Sequence, residues 1–294
     1  MEEKHFGPIW FIPGENKGKY PYCNSIYIAG PGILIDPASN RERLLRLRKE
    51  NGVREIWLSH WHEDHFMHLD LFDDLPLAVS AADSPPLSSL ENLVNAYGLD
   101  HKHRDYWEPA FRDLFHFKPR IPSRTLQDGE SLSLGYVEVK IIATPGHTPG
   151  HLAFLFKGET DILFLGDYDL TPFGPWYGDV HSSISDTIDS VRRLSQIPAK
   201  VWLCSHEEGV FENQPGELWD QYLGVIQTRE ERLLQFLKEP RSMTDIVDAC
   251  LIYRKKREPK AFFEFGERAL MGKHLEKLLC ENRIIEKNGR FCQF

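Results

Sequence analysis

The chain has 294 residues, enough for one large core and a smaller appendage. With 41% hydrophobic and 27% charged residues it has the composition of an ordinary globular protein, which excludes wholesale disorder. The net charge of −9 is unevenly spread: from Arg229 onward 15 Lys and Arg stand against 11 Asp and Glu, a balance of +4, while the rest carries −13, so only the tail invites a local polyanion contact.

The opening "MEEKHFGPIW" has no basic region followed by an apolar one, and no apolar run approaches the roughly 20 residues that span a bilayer. A soluble, cytoplasmic protein without a membrane partner is expected. The five cysteines (Cys23, Cys204, Cys250, Cys280 and Cys292) are odd in number and widely spread, which favours buried reduced thiols over a disulfide framework or a Cys-rich zinc ribbon.

In chain order, "SIYIAG" and "ILIDP" are apolar runs joined at Pro31-Gly32, the signature of a hairpin. "NRERLLRLRKEN" follows as a helix, with Asn40 as its cap and Gly52 as its stop. "REIWLS" and "PLAVS" are short strands. Residues 84–122 have helical periodicity and many histidines and aromatics, an insertion that could lie over a cleft. Strand character returns in "YVEVKIIATPG", "HLAFLF" and "DILFLGD"; a helix "SISDTIDSVRRLSQI" and the strand "KVWLCS" come next. Sheet segments separated by helices predict an α/β architecture of two packed mixed sheets flanked by helices. A helix from about Gly216 to Lys238 leads to a tail of two short helices, the second within "ERALMGKHLEKLLCEN", and a ribbon turning at Asn288-Gly289. That pattern predicts a winged-helix-like domain over 229–294, after a catalytic domain over 1–228.

The stretch "SHWHEDHFMH" puts four histidines, a glutamate and an aspartate within ten positions after a strand. On a helix His60 and Asp64 would share a face while His62 pointed away, so the set could not converge. A strand end turning through a loop allows it, with His60 and His62 serving one point and Asp64 and His65 an adjacent one. A lone H-x-H would read as a polar loop, but other strand ends supply complementary groups: His147 in "TPGHTPGH", Asp167 in "FLGD" and His206 in "CSH".

These four motifs, in this order over about residues 24 to 206, resemble those of the metallo-β-lactamase superfamily. The resemblance implies an αβ/βα sandwich, with His60, His62 and His147 on one metal ion, Asp64, His65 and His206 on a second, and Asp167 bridging. Two divalent ions, zinc first and iron or manganese as alternatives, would then be the cofactors. Three positions narrow the branch. His62 stands where the redox diiron members carry a carboxylate. Asp167 replaces the cysteine found near the bridge in classical zinc β-lactamases. Phe66, Met67 and His68 follow the Asp-His pair where glyoxalase II-like enzymes often have glycine, which counts against a glutathione thioester.

The expected activity is a dinuclear metal-dependent hydrolase that uses metal-bound hydroxide on a small ester, thioester or lactone-type substrate. Asp64 is the candidate proton shuttle. Tyr168, Tyr177 and His181 are candidate substrate contacts, the last two in the loop "PFGPWYGDVHSS", although ring packing is the blander account of Tyr168. Thr148 and His151 are read as orienting or turn residues, Glu63 as a solvated spacer, Trp61 as packing, and His101, His103 and His116 as surface histidines. Alternatives are a phosphodiesterase or endoribonuclease that holds nucleic acid on the winged helix, a mononuclear iron sulfur dioxygenase, and a non-catalytic assembly or regulatory protein. Self-association is compatible with all of them.

Overall fold

Short apolar runs dominate the first two thirds of the chain, and the alternation along each strand decides which layer a side chain joins. The computed structural model describes residues 2–293. Its first sheet contains β1 (Lys4–Phe6), β2 (Ile9–Ile12), β3 (Ser25–Ile28), β4 (Ile33–Ile35), β5 (Glu55–Trp57), β6 (Leu77–Ser80) and β7 (Arg124–Leu126) in that spatial order. Pairing is antiparallel as far as β4 and parallel from β4 to β7. The second sheet comprises β8 (Ser131–Ser133), β9 (Glu138–Ala143), β10 (Leu152–Lys157), β11 (Ile162–Phe164), β12 (Val201–Leu203) and β13 (Val210–Phe211), again in sequence order, with β11 and β12 its parallel pair.

Ile26 and Ile28 of β3 enter the layer between the sheets with Phe154 and Phe156 of β10, while Tyr27 points to the opposite face. The rings of Trp57 and Phe154 lie 5.6 Å apart across this layer. Each fully buried Ile or Phe contributes about 1.5–3 kcal/mol, so the inter-sheet layer is the main source of scaffold stability.

Helices cover both outer faces. After a single turn, α1 (Glu15–Gly18), the helices α2 (Arg41–Asn51), α3 (Leu90–Tyr97) and α4 (His101–Asp113) pack on the first sheet, and α5 (Ile184–Ser195) and α6 (Leu218–Phe236) on the second. Asn40 caps α2 by accepting from Arg43 N–H at 2.8 Å, and Gly52 ends it at φ 74°, as its sequence predicts. The αβ/βα sandwich expectation therefore holds.

Past α6 come α7 (Met243–Ala249), α8 (Lys260–Cys280) and a three-stranded antiparallel sheet of β14 (Arg241–Ser242), β15 (Ile284–Lys287) and β16 (Arg290–Gln293), ordered β14-β16-β15. Asn288 and Gly289 both have positive φ, the geometry of a tight hairpin turn. Two features differ from the sequence reading. The boundary drawn between 228 and 229 falls inside the continuous helix α6. Helix α8 begins at Lys260, ahead of the segment read as helical, and its first turns pack on α4, where Lys102 pairs with Glu264 at 2.6 Å.

Among the described residues no helix is long and apolar enough to cross a membrane. All five cysteines are free; Cys23 and Cys204 are buried, as expected, whereas Cys280 is exposed.

Candidate metal centre

Each candidate ligand motif sits just beyond a strand, and all four strand ends open on one rim of the sandwich. The loop after β5 carries His60, His62, Asp64 and His65; the turn after β9 carries His147; Asp167 follows β11 and His206 follows β12. Ser59 C=O accepts from Leu152 N–H at 2.9 Å, and Ser205 C=O accepts from Asn24 N–H at 2.6 Å, which ties the two sheets together beside the ligands. Two glycines shape the turns. At Gly146, φ is 129° and an added Cβ would lie 2.2 Å from Thr187 N; at Gly166, φ is 61° and it would lie 2.4 Å from His151 Nε2.

The donor atoms fall into two groups. In the first, His60 Nε2 lies 3.0 Å from His62 Nδ1, 3.1 Å from His147 Nε2 and 3.8 Å from Asp167 Oδ2, with His147 Nε2 3.2 Å from that oxygen. In the second, Asp167 Oδ1 is 2.8 Å from His65 Nε2 and 3.4 Å from His206 Nε2. His206 Nε2 is also 3.3 Å from Asp64 Oδ2, and His65 Nε2 is 3.9 Å from Asp64 Oδ1. Asp167 thus offers one oxygen to each group. Donors on a tetrahedral zinc ion stand about 3.3 Å apart, so these spacings suit ligands around a cation. His65 Nε2 and Asp167 Oδ1 are buried and have no hydrogen-bond partner, which also fits a metal ion as the missing one.

The ring nitrogen of each histidine not facing the centre meets a polar partner, which fixes ring orientation. Asp36 receives His65 Nδ1–H at 3.0 Å and both Ser59 N–H and Ser59 Oγ–H, at 2.8 and 2.7 Å. His62 Nε2 faces Asp179 at 2.7 Å, His147 Nδ1 faces Trp176 C=O at 3.1 Å, and His60 Nδ1 faces Ser59 Oγ at 2.9 Å. His206 Nδ1 lies 3.1 Å from the carbonyls of Gly18 and Tyr22. His151 turns its Nε2 to Asp167 N–H at 3.1 Å, and Thr148 donates to Asp83 at 2.6 Å, so both hold the turn.

Charge follows from this packing. Burial, the largest single influence, would depress His65 and His206, but Asp167 together with the other acidic neighbours, Asp36 and Asp64 for His65 and Asp169 and Asp64 for His206, holds both well above the usual histidine range. His62, likewise opposed by burial, is raised to about 9 by Asp179. His60 is held well below the usual range by burial and then by the neighbouring His65. Burial works to raise Asp167, yet the surrounding imidazoles hold it well below ordinary carboxylates.

Over the centre lies a cavity of about 390 Å³. Its walls include Tyr20, Tyr97 and Trp107, Phe173 and Trp176 of the loop after Asp167, and Phe262, Phe263 and Phe265 of α8. Glu63 is buried here rather than solvated. Its carboxylate accepts from Tyr20 Oη at 2.6 Å and from Tyr97 Oη, and burial, then Asp64, raises its pKa to about 7. Asp169, which receives His206 N–H at 3.0 Å, is raised to about 7 by burial.

The three expected substrate contacts do not reach this cavity. Tyr168 is buried, with its hydroxyl on the carbonyls of Thr144 and Pro145. Tyr177 is buried between Arg229 and His274, and His181 is exposed on a separate groove. The loop does face the cavity, but through Phe173 and Trp176, because Arg229 draws the Tyr177 hydroxyl inward. His103, expected at the surface, is buried and bonded to Asp100 at the start of α4. His68, Asp70 and His116 form a separate cluster, but the Arg41 guanidinium already takes both Asp70 oxygens at 2.8 and 2.6 Å. No sequence signal marked the α8 phenylalanines; Glu63, between His62 and Asp64, was the one accessible hint.

A converging histidine and carboxylate centre at the rim of a two-sheet sandwich defines a metal-dependent hydrolase. The chain belongs to the metallo-beta-lactamase superfamily, whose sequence model matches residues 20–206. A hydroxyacylglutathione hydrolase from Francisella philomiragia is 29% identical over 273 residues, covering 85% of this chain and 93% of that protein. One from Prochlorococcus marinus strain MIT 9301 is 36% identical over 182 residues, 60% of each chain. Among solved structures, a metallo-beta-lactamase family protein from Thermus thermophilus superposes with a TM-score of 0.75 at 22% identity, over 98% of this chain and 99% of that one. A beta-lactamase domain protein from Burkholderia ambifaria gives 0.71 at 16% identity, over 100% and 94%. At these identities the structural likeness concerns the fold.

Proposed function

We propose that the chain hydrolyses a small ester, thioester or lactone-type bond with two divalent ions, zinc first among them, held by His60, His62 and His147 and by Asp64, His65 and His206, and shared through Asp167. The single observation that supports this best is Asp167, which directs one carboxylate oxygen to each donor group. Bound there, two such ions would supply a water of lowered pKa and polarise the scissile carbonyl. The hydroxyacylglutathione hydrolases among the relatives, which act on a thioester, support that bond as the first of the class to test.

The chain's own residues supply position and proton handling. Asp36, Asp179 and the Trp176 carbonyl hold the imidazoles so that their free nitrogens face the centre. The aromatic walls exclude water from the reacting group. Asp64, whose Oδ2 lies 3.3 Å from His206 Nε2, takes the proton released on attack and passes it to the leaving atom. The segment past α6 acts as a winged-helix-like unit whose long helix closes the pocket instead of gripping nucleic acid; Glu63 and Asp169 inside the cavity support that choice over a polyanion substrate.

The test is elemental analysis of the purified protein together with a panel of ester, thioester, lactone and phosphodiester substrates. Two ions per chain and turnover of carbonyl substrates are expected, with both lost in Asp167→Ala. One iron per chain with oxygen consumption would replace this reading by a dioxygenase. Asp64→Asn with both ions and full turnover would remove Asp64 from proton transfer.

A further inference from the structure

We propose that the cavity selects substrates carrying a flat, apolar, uncharged group beside the scissile bond, and that the first turns of α8 set this selectivity. The inference rests on the hydrolase reading and deepens it by naming the substrate class.

The wall is assembled from three segments far apart in sequence. Phe265 of α8 lies among rings from the other two, with centroids 6.2 Å from Tyr97, 5.8 Å from Trp107 and 6.2 Å from Trp176. Phe262 adds a further face, 5.5 Å from Trp107. Rings at these distances pack on one another and present a continuous apolar aromatic wall to the cavity, against which a planar ligand group can stack. The space of about 390 Å³ holds an aromatic ring and its linker, whereas a two- or three-carbon acyl group would leave most of the wall uncovered.

Charge gives the second half of the argument. The lining contains no Lys or Arg, and away from the metal ligands its ionisable groups are Glu63, Asp169 and tyrosines. A carboxylate or phosphate placed against that wall would be desolvated without a cationic partner and would face acidic groups. The nearest basic run, Lys255 to Arg257, lies beyond Tyr253 and Phe263 on a separate groove. Gly266 sits where α8 meets Tyr253: an added Cβ would be 2.3 Å from Tyr253 Oη, so a larger residue there would push the Tyr253 ring off the helix.

The experiment uses the full-length, metal-loaded protein. Thioesters are compared as kcat/KM: S-methyl thioacetate, S-methyl lactoyl thioester, and ring-bearing partners with benzyl on the acyl or on the sulfur side, each with and without a para-carboxylate. A ring on one side should raise kcat/KM by about tenfold or more over the acetyl and lactoyl compounds, and the para-carboxylate should cancel the gain. Phe262→Ala and Phe265→Leu should each shrink the ratio of ring-bearing to acetyl substrate. Calorimetric binding of phenylacetamide, with acetamide as control, gives a readout independent of turnover; binding weakened by Phe262→Ala is expected. Lactoyl or carboxylated substrates matching the ring-bearing ones would overturn the inference and leave the hydrolase reading standing. Absence of all hydrolysis would overturn the hydrolase reading, and absence of phenylacetamide binding would then overturn this one as well.

Discussion

Replacing Asp36 by Asn isolates what one supporting carboxylate contributes to the centre. Asp36 is fully buried, lies outside the ligand set and has φ of 52°, a conformation that Asn tolerates better than most side chains, so backbone strain is not added. Its two oxygens accept from Ser59 N–H, Ser59 Oγ–H and His65 Nδ1–H. Asn keeps one acceptor and presents an NH2 on the other side. With the NH2 toward His65, the imidazole must accept at Nδ1 and carry its proton at Nε2, the atom 2.8 Å from Asp167 Oδ1, which removes its lone pair from the centre. With the amide reversed, Ser59 N–H loses its acceptor inside the core. Losing such support typically costs 10–100-fold in metal affinity, about 1.4–2.7 kcal/mol. Competition with a chelator, followed by calorimetry, should show that loss at the His65 and His206 group and a smaller one at the group of His60, His62 and His147. Equal, unchanged affinity at both would refute the orienting role and weaken the assignment of His65 as a ligand.

Metal binding should release protons, because Asp167 and the other acidic neighbours together hold His65 and His206 well above the usual range despite burial; affinity should therefore rise with pH, and calorimetry at neutral pH in buffers of different ionisation heat should detect the release. Exhaustive chelation should abolish turnover and lower Tm, with zinc restoring both. Gly146→Ala should destabilise the fold by about 2 kcal/mol or more in denaturant unfolding and reduce metal content, since the new Cβ meets the Thr187 backbone next to His147. Glu230 is held at about 2 by His274, 3.7 Å away, and by hydrogen bonds from Lys277 and Arg283 at 2.6 Å each, so its contribution is present above its ordinary pKa near 4.5 and disappears as pH falls through about 2. Discounted for solvent, Glu230→Gln should lower stability at neutral pH by about 1–2 kcal/mol, with the gap to the parent protein narrowing below about pH 4.5.

The fold was legible wherever local chemistry and tertiary need agree. Asn40 caps a helix because its side chain reaches Arg43 N–H, and Asn288-Gly289 turns a hairpin because both residues accept positive φ; each signal lies within four residues of its effect. The domain division was less legible. Arg229, placed first in a basic tail, is buried, donates to the carbonyls of Phe173 and Pro175, and joins α6 to the loop beside the centre. A charged residue that finds its acceptors more than fifty positions away leaves no periodic trace.

The same contrast separates the ligands from the pocket. Metal ligands must converge within a few ångströms, and a strand end followed by a tight loop does this most simply with close neighbours; the candidates His60, His62, Asp64 and His65 meet that requirement by local spacing. A binding wall requires only that apolar area arrive from several directions. Tyr97, Trp107, Trp176 and Phe265 come from three segments, and each alone looks like ordinary core. Glu63 makes the point most sharply, because it lies inside the most recognisable motif and its sequence neighbours give no sign of its burial. Its burial is decided by Tyr20 and Tyr97, 43 and 34 positions away, whose hydroxyls replace the water a surface carboxylate would have had. The candidate centre is thus encoded by spacing, while the cavity wall is assembled by long-range packing, and substitutions at α8 change the second without touching the first.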